Sequence, residues 1–133
     1  MYSDRLIDHF RNPRNVGMLR NPDGLGEDED GSCGDLTRFY IRVADGRVVD
    51  ARFQSYGCGP TIAASSAGSE LVVGRGVGEL LSLTADDVTA AVGGLPPERQ
   101  HAAHVVARAI QAAARDHLRR RAITLTRGAA HGV

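Results

Sequence analysis

The sequence predicts an α+β fold, a small antiparallel sheet with helices packed on one face. Three observations carry this reading. Two stretches alternate apolar and polar residues on either side of a hairpin signal, later stretches show helical periodicity between capping residues, and the order along the chain is helix, strands, then helices.

Residues 4–10 place Leu6, Ile7 and Phe10 at helical spacing, and Asn12-Pro13-Arg14-Asn15-Val16-Gly17 then breaks the pattern. Residues 21–34 are rich in Gly and acids and almost free of apolar side chains, which predicts a mobile loop carrying Cys33. Thr37, Phe39, Ile41 and Val43 alternate with more polar neighbours, Asp45-Gly46 marks a turn, and Val49, Ala51 and Phe53 resume the alternation. The run from Thr61 to Val73 is small and apolar, with Pro60 suited to a first helical turn, so Cys58 stands just before a helix N-terminus. Thr84 and Asp87 have the spacing of a helix cap. Gly93-Gly94-Leu95-Pro96-Pro97 stops that helix. A longer one follows from His101, with Val105, Val106, Ala109, Ile110, Ala113 and Leu118 along its apolar stripe. Arg119, Arg120 and Arg121 suit its C-terminal end, and residues 122–133 are expected to form a flexible tail.

The 133 residues fit one domain, because a chain of this length buries roughly two thirds of its unfolded surface in a single core. Formal net charge is zero, so no strongly charged partner is implied. All 16 basic residues are Arg, yet the only basic cluster is Arg119 to Arg121, which a solvated helix end explains without nucleic acid. No stretch approaches the roughly 20 apolar residues that span a bilayer, and the first residues mix charges with apolar side chains, unlike a signal peptide. Two cysteines without an export signal suit a reducing, cytoplasmic compartment where thiols stay free to bind metal.

Cys33-Gly34-Asp35 and Gly57-Cys58-Gly59 set each thiol among glycines, whose missing side chains let a metal, sulfur atoms or another protein approach the backbone. The positive end of the following helix favours the thiolate that binds metal at Cys58. His101 and His104 are three apart near a helix start and share a face. With both thiols and Asp35, the chain has enough ligands for tetrahedral zinc.

The opening from Tyr2 through Asp8-His9-Phe10, then Asn12-Pro13-Arg14-Asn15-Val16-Gly17, resembles the start of the U-type iron-sulfur cluster assembly scaffold family, also called the IscU or NifU N-terminal family. Cys33-Gly34-Asp35, Asp50-Ala51-Arg52-Phe53 with Tyr56-Gly57-Cys58-Gly59, and Leu95-Pro96-Pro97 followed by His101 resemble it in the same order, over residues 2 to about 121. The resemblance implies a three-stranded antiparallel sheet with helices on one face. It also implies a scaffold, not an enzyme, on which a [2Fe-2S] cluster is built from iron and from sulfur supplied by a cysteine desulfurase, then passed to recipient apoproteins. Carried over, the site residues are Cys33, Asp35, Cys58 and His101. The family's third cysteine directly follows the histidine, and here that position is Ala102.

A site of two Cys, one His and one Asp suits a labile cluster or iron, and it equally suits zinc. The alternative function is therefore a zinc-binding interaction or regulatory protein derived from a scaffold. His104 stands where the family has an apolar residue, as a substitute ligand or as a partly buried helix-face histidine. The family's third cysteine is the persulfide acceptor, so here sulfur would arrive at Cys33 or Cys58. A homodimer pooling thiolates would also replace the missing ligand. Leu95-Pro96-Pro97-Glu98-Arg99 resembles the segment bound by a DnaK-type chaperone but departs from it in its last two residues. A thiol hydrolase built from Cys58, His101 and Asp35 is a further class, disfavoured by the glycine context.

Overall fold

Asp45 and Gly46 both take left-handed backbone conformations, φ 53° and 76°, as a two-residue hairpin turn requires. They close strand β2 (Asp35–Ala44) onto β3 (Arg47–Tyr56). Antiparallel to the other side of β2 lies β1 (Gly24–Asp30), giving the sheet order β1-β2-β3. The computed structural model describes residues 2–31 and 34–131, those from 126 onward as backbone only.

Alternation along β2 turns Asp35, Thr37, Phe39 and Ile41 to the helix-covered face. Phe39 and Phe53 are cross-strand partners with ring centroids 6.0 Å apart. On β3 the inward residues are Val48, Ala51 and Phe53, whereas Val49, expected on the inner face, is 50% exposed. A register shift at Arg42/Val43 pairs Arg42 with Asp50 and Val43 with Val48, leaving Val49 as the extra residue of a bulge that inverts the alternation.

The expectation of a loop over 21–34 is corrected by β1. Gly24 and Gly26 lie under the last helix, α5 (His101–His131), where a Cβ on Gly26 would come within 2.1 Å of the Ala113 backbone nitrogen. Two of the four acids of β1 are carried by arginines: Glu27 pairs with Arg38 at 2.8 Å and Asp28 with Arg108 at 2.9 Å. The backbone N–H of Leu25 donates to Asp116 of α5 at 2.9 Å. Main-chain pairing plus close helix contact thus makes a strand from a segment with no apolar alternation.

α2 (Gly59–Val72) occupies the middle of the helical layer, and its residues from Pro60 to Ser69 are buried except Ile62. Small side chains let α1 (Asp4–Arg11), β3, α4 (Ala85–Ala91) and α5 approach it together. A four-residue helix α3 (Val77–Leu80), which no sequence signal marked, leads into α4. α4 carries the expected capping box between Thr84 and Asp87. α5 runs past Arg121 to His131, beyond the expected start of a tail at 122. Arg119 and Arg120 pair with Asp116 one turn earlier instead of ending the helix, and neither Gly nor Pro occurs between 119 and 127.

His9 of α1 is buried against α2. Its Nδ1 lies 2.8 Å from the Ser66 hydroxyl, and its Nε2 lies 3.6 Å from Glu70. Burial, and next the neighbouring Arg14 cation, lower its pKa below that of a free imidazole. The unfolded chain therefore takes up this proton first on acidification. The stability contribution is complete above about pH 6.5, the usual value for an unfolded histidine, and declines as pH falls from there through the lower folded-state pKa. Urea midpoints are expected to drop between pH 7 and pH 5, and to drop less in His9→Gln. An equal fall in the variant would assign the acid sensitivity to other groups.

Candidate metal centre

Three element ends converge at one end of the sheet. Asp35 opens β2 on its inner face, Cys58 is the N-cap of α2, and His101 is the first residue of α5. One oxygen of Asp35, the Cys58 Sγ and one His101 ring nitrogen all lie within 4.8 Å of one another. Among the described residues no other group of three His, Cys, Asp or Glu meets that criterion.

Asp35 is the anchor. It is 2% exposed, and each carboxylate oxygen is held. Oδ1 accepts the Cys58 backbone N–H at 3.1 Å. Oδ2 accepts the Thr61 hydroxyl at 3.0 Å, lies 2.8 Å from His101 Nε2, and faces the Cys58 thiol at 3.8 Å. A buried carboxylate is tolerated only with such partners. Gly57 makes the approach feasible: it holds φ +144°, and a Cβ there would fall 2.0 Å from Asp35 Oδ1. The glycine beside the thiol thus makes room for the carboxylate.

Cys58 Sγ also lies 3.2 Å from the Thr61 hydroxyl, one turn into α2. The thiol is half-buried and free of any disulfide. The pKa of Arg99 is raised, first by hydrogen bonding to the Tyr2 hydroxyl and also by electrostatic interaction with Tyr2 and Cys58, so a cation lies within electrostatic reach of the site. Behind the site, the hydroxyls of Thr37, Ser55 and Ser65 bond to one another at 2.6 to 3.2 Å, and Ser65 also donates to the Thr61 carbonyl.

Of the four residues singled out in the sequence, the structure brings together Asp35, Cys58 and His101, while Cys33 lies outside the described residues. Ala102 is fully buried in the apolar core. His104, expected to be a substitute ligand or partly buried, is exposed and absent from the cluster. The buried stripe of α5 runs through Ala102, Ala103, Val105 and Val106, leaving position 104 toward solvent. Sequence reasoning missed Thr61. Its three-residue spacing from an N-capping cysteine is the signal that could have found it.

The donor chemistry fits a metal. Ligands about 2.0 to 2.3 Å from a tetrahedral ion sit roughly 3.5 Å from each other; the two separations from Asp35 Oδ2, 2.8 and 3.8 Å, bracket that spacing, and the third pair lies within 4.8 Å. Fold and site define a small α+β domain with a thiol, carboxylate and imidazole gathered at a sheet end.

The chain belongs to the NifU-like N terminal domain family, which it matches over residues 1–124. It is 43% identical over 120 residues to the iron-sulfur cluster assembly scaffold protein IscU 1 of Archaeoglobus fulgidus, covering 90% of this chain and 78% of that protein. To the scaffold protein IscU of Escherichia coli K12 it is 40% identical over 124 residues, covering 90% and 96%. The fold is shared with the NifU-like N-terminal protein of Brucella abortus, at TM-score 0.71 and 19% identity over 88% of this chain and 94% of that one. A putative SUF-system scaffold from Fervidobacterium islandicum AW-1 aligns at TM-score 0.69 and 18% identity, covering 85% and 96%. No helix among the described residues is long and apolar enough to cross a membrane.

Proposed function

We propose that this chain is an iron-sulfur cluster assembly scaffold or carrier, and that Cys33, Asp35, Cys58 and His101 hold its cargo, iron or a labile [2Fe-2S] cluster. The observation that carries the reading is the convergence of Asp35, Cys58 and His101 from three separate elements. Membership of a family whose relatives are named as scaffolds supports it. Cys33 enters on sequence position, two residues before Asp35.

Thiolates supply the soft ligands that iron and sulfide favour, while imidazole and carboxylate complete the set and leave the cargo easier to release. Loading requires the protein to give up protons. The Cys58 thiol proton departs, and His101 turns a bare ring nitrogen where Nε2 now meets Asp35. Asp35 Oδ2 exchanges these donors for the metal, while Oδ1 stays on the Cys58 N–H and keeps the carboxylate aimed. With Ala102 in place of the family's acceptor cysteine, sulfur from a cysteine desulfurase would be received at Cys33 or Cys58, the two thiols of the chain. Recipient apoproteins would then take the cluster.

The test is anaerobic purification with iron, sulfide and zinc measured per chain, for the native protein, Cys58→Ser and Ala102→Cys. Iron with equimolar sulfide in the native protein, lost in Cys58→Ser, is the expected result. Zinc alone in the native protein, with a cluster appearing only in Ala102→Cys, would establish the zinc-binding alternative. Protein that stays folded but takes up neither iron, sulfide nor zinc would reject both.

A further inference from the structure

Thr61 is fully buried, and its hydroxyl touches two of the three gathered ligands, 3.0 Å from Asp35 Oδ2 and 3.2 Å from Cys58 Sγ. A hydroxyl carries a single proton and can donate to only one of them at a time. Without metal the carboxylate is the stronger acceptor and receives it. We propose that Thr61 is a positioning residue that transfers its hydrogen bond from Asp35 to the Cys58 sulfur when a metal occupies Asp35 Oδ2, stabilising the metal-bound thiolate from beneath. This rests on the assignment of Asp35, Cys58 and His101 as metal ligands.

The geometry suits the exchange. Thr61 is the third residue of α2 after its capping Cys58, and its β-branched side chain has few rotamers, so the hydroxyl stays between the two acceptors. The first-turn contacts of Thr61 and Ile62 N–H with the Cys58 carbonyl, at 3.1 and 3.2 Å, fix the cysteine backbone relative to it. Switching acceptor needs only rotation about the C–O bond, with no movement of heavy atoms. A hydrogen bond to the sulfur withdraws electron density from it, which shifts thiolate-to-metal charge transfer to higher energy and tunes the potential of a bound iron-sulfur group.

Cobalt(II) is the probe, titrated anaerobically into the full chain and into Thr61→Val, Thr61→Ser and Cys58→Ser, with thermal unfolding followed in parallel. The native protein is expected to develop a near-ultraviolet thiolate-to-cobalt band that Cys58→Ser lacks. Thr61→Val is expected to bind about tenfold more weakly, the usual loss for a hydrogen bond to a charged group, with its band at lower energy. Thr61→Ser should restore both. A structural role alone would lower the melting temperature and leave the band of the folded, saturated protein where it was, which would overturn the inference while the ligand assignment stood. Native protein with no thiolate band would instead remove the ligand assignment itself, and the inference with it. If Thr61→Val does not fold, the same comparison made with the smaller Thr61→Ala decides the matter.

Discussion

Gly57→Ala is expected to abolish metal uptake and to lower the melting temperature by on the order of 10 °C. Two costs combine. A φ of +144° is open to glycine and strained for alanine, worth about 1–3 kcal/mol. The added Cβ would then stand 2.0 Å from Asp35 Oδ1 and 3.1 Å from the Asp35 Cα, so the carboxylate must leave its place. Displacing it breaks its bonds with the Cys58 N–H, the Thr61 hydroxyl and His101, each of the charge-assisted kind that contributes about 1.5–3 kcal/mol. These losses overlap, and a total of at least about 3 kcal/mol corresponds to the stated shift for a domain of this size. Gly17→Ala is the control. It has φ +132° but nothing within 4 Å of its added Cβ, so it carries the backbone cost alone. Differential scanning calorimetry and zinc titration of the two variants would separate the terms. Equal melting temperatures and intact zinc binding in Gly57→Ala would show that Asp35 does not depend on this glycine.

Much of this site was legible before the structure because its residues sit at punctuation points of the chain. Cys58 was flagged by flanking glycines and a following Pro60, and Asp45-Gly46 set the hairpin that brings Asp35 and Tyr56 to the same sheet end. Resemblance to the family, and not spacing, singled out His101 over His104; the structure separates them because His101 borders the buried stripe of α5 next to Val105, whereas His104 lies on the exposed side with Arg108. What was hidden was set by tertiary contact. Val49 gave way to Val48 because a bulge adds a residue that no periodicity records. Thr61 looked like an ordinary residue of a small, apolar helix, since its partners lie on another strand and at the cap of its own helix. The exposure of His104 depends on which side of α5 meets the sheet, which the alanine-rich pattern of that helix defines only broadly.

β1 is the clearest case of a segment misread for a physical reason, and it supports the second large effect, expected for Gly26→Ala. Glycines and acids signal a loop when side chains are taken as the source of strand stability. Here the glycines are what allow a helix to lie against the strand backbone. A Cβ on Gly26 would meet Ala113 N at 2.1 Å, Ala109 O at 2.5 Å and Ala112 C at 2.6 Å, all of them backbone atoms that no rotamer change can move. α5 must lift from the strand, exposing Ala109 and Ala113 and loosening the Asp116 contact with Leu25 N. The expected loss is at least about 4 kcal/mol, the upper range for single substitutions. Gly31→Ala, with open space around its added Cβ, should stay within about 0.5 kcal/mol of the native protein. The effect should also reach the candidate metal centre. His101 lies twelve residues before Ala113 on the same helix, roughly 18 Å along its axis, and a rigid helix displaced at one point carries its first residue with it. At temperatures where Gly26→Ala remains folded, its cobalt affinity should fall together with its stability. Unchanged affinity in a clearly destabilised Gly26→Ala would mean that α5 bends between residues 101 and 113 and that the site is mechanically independent of β1.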